Sequence, residues 1–229
     1  MTLSLVQYLL GIGSGALVGF VLGLVGGGGS ILAVPLMVYL VGVRSPHLAI
    51  GTSAFAVAAN AATGLVNHAR AGHVKWRCAG VFAVAGILGA AVGSTLGKSF
   101  DGQKLLFLFA LVMIAVGILM LRRKSASGGA KVQLGRENAG KLVGYGLGAG
   151  AFSGFFGIGG GFLIVPGLIA ATGMSMINAV GSSLVGVTAF GLTTAVNYAA
   201  SGLVDWPLAL LSSSVDSSAV FLEPGSRSS

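Results

Sequence analysis

The sequence predicts an all-α, polytopic membrane protein built from two inverted repeats, with glycine-interrupted helices short enough in two places to be re-entrant. Three observations carry that expectation. Only 8% of the 229 residues are charged, 13 Lys and Arg against 5 Asp and Glu, where a soluble domain carries roughly 25%. Charge-free runs are long: Thr2–Val43 holds 42 residues and Leu142–Val204 holds 63, while one crossing takes ~20. The chain also repeats itself, since GLVGGGGSILAVP at 23–35 returns as GFFGIGGGFLIVP at 154–166.

Composition closes off the other classes. With 55% apolar residues and 40 glycines, too few polar side chains remain to cover a soluble surface. A soluble enzyme, a disordered chain and a disulfide scaffold are all excluded. Cys78 is the one cysteine, so neither an internal disulfide nor a thiolate metal cluster can form. The net charge of +8 sits largely in two clusters, Arg70 to Arg77 and Arg122 to Lys141, with apolar chain between them. That placement fits loops flanking membrane spans better than a nucleic-acid-binding face.

The expected spans are 5–25, 30–43, 48–67, 78–97, 103–121, 142–157, 160–173 and 179–198, with a stub from Pro207. No basic stretch precedes the first run, so it reads as a span rather than a cleaved signal. Segments 30–43 and 160–173 are short. At ~1.5 Å per residue they reach about 21 Å, against a ~30 Å hydrocarbon core. The organisation expected is a first transmembrane repeat over 1–121, a basic loop over 122–141, a second repeat over 142–211 and a serine-rich tail over 212–229. That tail carries eight serines in 18 residues and reads as a non-membrane end to an incomplete second repeat.

The duplication extends beyond the glycine runs. Gly51, Thr52 and Ser53 align with Gly181, Ser182 and Ser183; Asn67 aligns with Asn197, Gly72 with Gly202 and Trp76 with Trp206. Loops 68–77 and 122–141 carry Arg70, Lys75, Arg77, Arg122, Arg123, Lys124, Lys131, Arg136 and Lys141, and are expected on the cytoplasmic side. The counterpart of the first, 199–206, keeps only Asp205 and is expected outside. The halves then have opposite orientation, a plan common among secondary transporters. The localisation expected is the inner (plasma) membrane, multi-pass.

The paired glycine-rich motifs, the duplicated Gly-[Ser/Thr]-Ser and the Gly-x-Val-x-Trp ends at Gly72–Trp76 and Gly202–Trp206 resemble the sulfite exporter TauE/SafE family of membrane permeases, over about residues 5–211. The resemblance implies transport of sulfur-containing or organic anions such as sulfite, sulfonates or sulfoacetate.

Two sets of residues are candidates for binding such an anion. Gly26, Gly27, Gly28, Gly29 and Ser30, with Gly157, Gly159, Gly160 and Gly161, disfavour helix by about 1 kcal/mol per glycine. Irregular backbone at membrane depth is tolerated where it is buried or lines a cavity. A helix restarting after such a break offers free N–H groups and the positive end of its dipole to an anion. Close helix packing through glycine is the competing explanation. Thr52, Ser53, Ser182 and Ser183 open two spans and supply hydroxyl donors, unless each bonds back to its own helix, the commoner fate. Pro35 and Pro166 are architectural, Trp76 and Trp206 are interfacial anchors, and Asn67 and Asn197 are caps or interhelical links. His47, His68 and His73 match no strong zinc spacing. Gly93 to Ser99 imitates a phosphate-binding loop but has three residues between its glycines, not four, and follows a helix.

No catalytic residue, cofactor or metal is expected, and the chain does not read as an enzyme. A membrane-embedded enzyme or assembly factor would need reactive side chains inside the spans, which the sequence hardly offers. The partners expected are a small anionic substrate and the lipid bilayer, with no nucleic acid; a homo-oligomer is left open. The spans also lack a buried acid of the kind that proton- or cation-coupled transporters use. An anion leaving an inside-negative cell gains about 2.3 kcal/mol per charge per 100 mV. Efflux driven by the membrane potential is therefore the physical expectation, with proton-coupled uptake or an inactive fragment as the alternatives.

Overall fold

The computed structural model describes residues 5–25, 30–43, 45–122 and 136–220. Every regular element among them is helical: α1 (Leu5–Val25), α2 (Ser30–Leu40), α3 (Pro46–Arg70), α4 (Trp76–Ser99), α5 (Gly102–Arg122), α6 (Arg136–Phe156), α7 (Gly161–Thr172), α8 (Met176–Ala199) and α9 (Trp206–Val220). Three of them, α3, α4 and α8, are long and apolar enough to cross a membrane. At 24 or 25 residues each reaches about 36 Å, beyond the ~30 Å hydrocarbon thickness.

The duplicated sequence builds duplicated elements. Helices α1 and α6 are both 21 residues long and start 131 positions apart. Helices α3 and α8 start 130 positions apart, as do α4 and α9. The ends of α3 and α8 match atom for atom. Gly72 and Gly202 take φ of 73° and 70°, and His73 N–H and Leu203 N–H each donate to the carbonyl five residues back at 3.0 Å. A left-handed glycine followed by that bond satisfies the last carbonyls of a helix. Ser45 and Pro46 start α3 as N-cap and first residue.

The short segments differ from each other. Helix α7 is a regular helix of 12 residues. Helix α2 changes pitch twice, from a 3₁₀ turn at 30–32 to an α turn at Ala33–Pro35 to a π turn at Leu36–Leu40. Pro35 has no N–H to give the Ile31 carbonyl, and beyond it Val41 N–H bonds the Leu36 carbonyl five residues back at 3.0 Å.

Packing runs through small residues. Gly86, Gly89, Gly93 and Gly97 line one face of α4, and Gly146, Gly150 and Gly154 line the facing side of α6; a Cβ at any of them would press on backbone carbonyls of the other helix. Lipid tails are as apolar as leucine, so close backbone approach of this kind is what holds membrane helices together. The opposite face of α4 presents Val84, Leu88, Val92 and Leu96, all exposed. An apolar band of that extent suits lipid rather than water. On the other side of the molecule Gly15 of α1 packs against the Ser212 carbonyl of α9, as Gly146 of α6 packs against that of Phe82 on α4. Helices α3 and α8 pack against each other between these pairs.

Several boundaries differ from the sequence expectation. The loop expected at 68–77 is shorter, because His68 and Arg70 occupy the last turn of α3, where the Arg70 guanidinium opposes the negative end of the helix dipole. Helix α6 starts at Arg136, six residues before the expected span. Residues 212–220 continue α9 instead of leaving it at Leu211. Serine is accommodated there because its hydroxyl bonds back to its own helix: Ser212 Oγ donates to the Leu208 and Ala209 carbonyls at 2.8 and 3.1 Å.

Candidate functional site at the glycine break

The second glycine run is a true interruption. Between Phe156 and Gly161 the chain leaves helix, and Gly157, Gly159 and Gly160 take φ of 68°, 67° and 63°. Three left-handed residues within four positions are inaccessible to β-branched side chains and costly for most others, so the glycines there are required by backbone geometry. Helix α7 then starts from Gly160, which has no side chain to cap it, and no side-chain cap bond is present. Within its first turn Leu163 N–H and Ile164 N–H donate to the Gly160 carbonyl at 2.9 and 3.2 Å, while the N–H groups of Gly161 and Phe162 precede any intrahelical carbonyl.

The break is enclosed. All four residues 157–160 are buried. A Cβ on Gly157 would strike Ile50 of α3, and one on Gly159 would lie 2.9 Å from Val57 Cγ1 of α3 and 3.1 Å from Val187 Cγ1 of α8. Val57 and Val187 occupy equivalent positions in the two halves. The same Cβ would lie 3.8 Å from Ser30 Cβ, and Ser30 is the first described residue after the first glycine run. The start of α2 and the break before α7 therefore meet at the centre of the molecule. Gly26 to Gly29 lie outside the described residues.

A residue that the sequence reading passed over completes this region. Ser153, one turn before the break on α6, is fully buried, and its Oγ has no hydrogen-bond partner. It lies 3.0 Å from where a Gly160 Cβ would be. Its counterpart in the first half is Leu22, so the internal repeat could not mark it. The available signal was a hydroxyl one helical turn before a glycine run.

The duplicated hydroxyls divide into two kinds. Ser53 Oγ donates to the Ile50 carbonyl at 3.1 Å and Ser183 Oγ to the Val180 carbonyl at 2.7 Å, each three residues back. Thr52 and Ser182 instead reach across the molecule. The Asp205 N–H donates to Thr52 Oγ1 at 3.0 Å, and the Lys75 N–H donates to Ser182 Oγ at 2.9 Å. Each of these N–H groups belongs to a residue just before a helix, α9 or α4. The hydroxyls thus clasp the halves together by equivalent bonds.

Asn197 is an interhelical link. Its Nδ2 donates to Thr95 Oγ1 on α4 at 3.0 Å, and its Oδ1 accepts from Lys98 Nζ at 2.8 Å. Asn67, its counterpart, is exposed near the end of α3. Lys98, from the loop-like Gly93–Ser99 motif, also donates to the Asn197 carbonyl and Ser201 Oγ at 3.0 and 2.8 Å. His47 contacts the Gly97 carbonyl through Nε2 at 3.3 Å, and the rings of His68 and His73 are 5.7 Å apart. No group of three metal-ligating side chains occurs among the described residues.

Comparison with known proteins agrees with this architecture. The family model described as "Sulfite exporter TauE/SafE" matches residues 11–222. A "Probable membrane transporter protein" from Xylella fastidiosa (strain 9a5c) is 58% identical over 200 residues, covering 87% of this chain and 77% of the relative. "Probable membrane transporter protein YdhB" from Bacillus subtilis (strain 168) is 27% identical over 211 residues, covering 91% of this chain and 82% of its own length. No solved structure matches. With the family match spanning nearly all the described helices, and with apolar helices of membrane length, the chain belongs to the sulfite exporter TauE/SafE family of membrane transporters.

Proposed function

We propose that this protein is a secondary transporter, not an enzyme, that moves small sulfur-containing or organic anions such as sulfite, sulfonates or sulfoacetate out of the cell across the inner membrane. The observation that carries the reading is the uncapped start of α7, reached through three left-handed glycines and set beside the partnerless hydroxyl of Ser153. Backbone N–H groups and a hydroxyl proton are donors, and a buried donor without an acceptor is poorly placed unless something negative visits it. Ser30 and Gly157, Gly159, Gly160 and Gly161 frame this anion site. Ser53 and Ser183 stand behind it, each with its hydroxyl bonded back to its own helix. Thr52 and Ser182 act on the site through the clasp they form between the halves.

In this reading the halves are inverted in a multi-pass topology, with 68–77 and 122–141 cytoplasmic, and the break before α7 lies near the midplane. The anion's own charge drives efflux down the inside-negative potential. Sulfite flux from proteoliposomes carrying the protein tests this. An imposed potential should change the rate, and Ser153→Ala should lower flux while leaving the fold intact. Flux that ignores the potential would remove the driving force proposed, and unchanged flux in Ser153→Ala would remove the site.

A further inference from the structure

The turn from α3 into α4 carries Arg70, Lys75, Trp76 and Arg77 within eight residues, and no acid. Arg70, Trp76 and Arg77 are exposed. Among the described residues, no side-chain hydrogen bond or ion pair is made by Arg70, Lys75 or Arg77. Lys75 occupies the N-cap of α4, where no side-chain cap bond is present and no acidic residue follows in the first turn. An ammonium has donors only, so it cannot accept from the N–H groups that open the helix. Three fixed positive charges and the positive end of the α4 dipole thus stand together, with no carboxylate paired to them among the described residues.

The equivalent turn of the second half is completed within the chain. Asp205 stands where Lys75 does, and its Oδ1 accepts from the Leu208 N–H at 3.2 Å. Ala200 and Pro207 replace Arg70 and Arg77. Trp206 packs edge-on against Phe55, with ring centroids 5.6 Å apart, whereas Trp76 is 57% exposed. One backbone turn is therefore self-contained in the second half and open in the first. Arg77 also heads an apolar track. It precedes Val84 by seven residues, two turns of helix, and so shares its face. Leu88, Val92 and Leu96 continue that face, all exposed. A cationic head followed by a hydrocarbon track is the complement of an anionic phospholipid.

We propose that the α3–α4 turn is a binding site for one anionic phospholipid. Arg70, Lys75 and Arg77 receive the headgroup phosphate at the start of α4, Trp76 sits at headgroup level, and an acyl chain lies along Val84, Leu88 and Val92. Net charge separates this lipid from zwitterionic ones, whose own ammonium would face three cations. Each cation beside an anionic headgroup favours binding about fivefold. The site makes no use of the glycine break, and its test needs no anion flux, so either reading can fail without the other.

Trp76 is the reporter for the experiment, because Trp206→Phe leaves it as the sole tryptophan of the full chain. The protein is reconstituted in phosphatidylcholine vesicles doped with phosphatidylglycerol or phosphatidylcholine whose brominated acyl chains quench nearby indoles. At equal mole fraction, brominated phosphatidylglycerol should quench Trp76 more strongly, and the excess should saturate. Glutamine at Arg70, Lys75 or Arg77 should lower that preference about fivefold each. Lys75→Asp should lower it further while keeping the melting temperature, because aspartate supplies the cap that Asp205 gives α9; a loss there is a loss of binding and not of folding. Lys104→Gln, beyond the far end of α4, should leave the preference intact. Equal quenching by the two brominated lipids overturns the proposal. So does a preference that survives both Arg77→Gln and Lys75→Asp, or one that Lys104→Gln abolishes. Inorganic phosphate that erases the preference would assign the turn to a free anion and overturn the lipid.

Discussion

Gly159→Ala tests the glycine break most directly, because its consequences separate into two parts. The first is backbone. At φ 67° an alanine is held in the left-handed region, at roughly 1–2 kcal/mol. The second is space. The new methyl lies 2.9 Å from Val57 Cγ1 and 3.1 Å from Val187 Cγ1, and both valines are fully buried, so neither retreats freely. Overpacking of that kind adds roughly 1–3 kcal/mol. Gly202→Ala is the internal reference. Its φ is 70°, but nothing lies within 4 Å of its Cβ position, so it carries the backbone part alone. Unfolding titrations in mixed detergent micelles should therefore rank Gly159→Ala below Gly202→Ala by the packing part. Sulfite flux should fall in Gly159→Ala and persist in Gly202→Ala. Equal destabilisation at the two positions would mean the break is not enclosed by Val57 and Val187. Full flux from a stable Gly159→Ala would mean the left-handed turn is not needed for transport.

Two further outcomes follow from the packing. Thr52→Val and Ser182→Ala each leave one backbone N–H at a helix start unpaired, so each should lower unfolding stability by about 1–3 kcal/mol. The bonds are equivalent across the halves, and a measured loss at one position only would count against a reciprocal clasp. Gly150→Leu should abolish a monodisperse peak in fluorescence-detected gel filtration, because its Cβ would collide with the Gly86 backbone, whereas Gly148→Leu meets nothing within 4 Å and should run as wild type.

Much of this architecture was legible in the sequence for a simple reason. A membrane span must be long and apolar, and both properties are local. Scarce charge therefore reveals the spans, and α1 covers the span expected at 5–25. The duplication was legible because positions kept in both halves do the same job twice. Gly72 and Gly202, Thr52 and Ser182, and Trp76 and Trp206 each sit at equivalent places in the fold. Positions that differ between the halves were invisible to that comparison. Ser153 pairs with Leu22, and it looks ordinary along its own helix.

The sequence by itself determined the helical class, the membrane environment and the break in helix before α7, since low charge and clustered glycines act on the chain locally. Only the tertiary structure decided which hydroxyls are spent. Ser53 and Ser183 bond back to their own carbonyls, Thr52 and Ser182 bond across the halves, and Ser153 keeps its oxygen without a partner. A hydroxyl's role depends on what lies within about 3 Å of it, and that is set by residues distant along the chain.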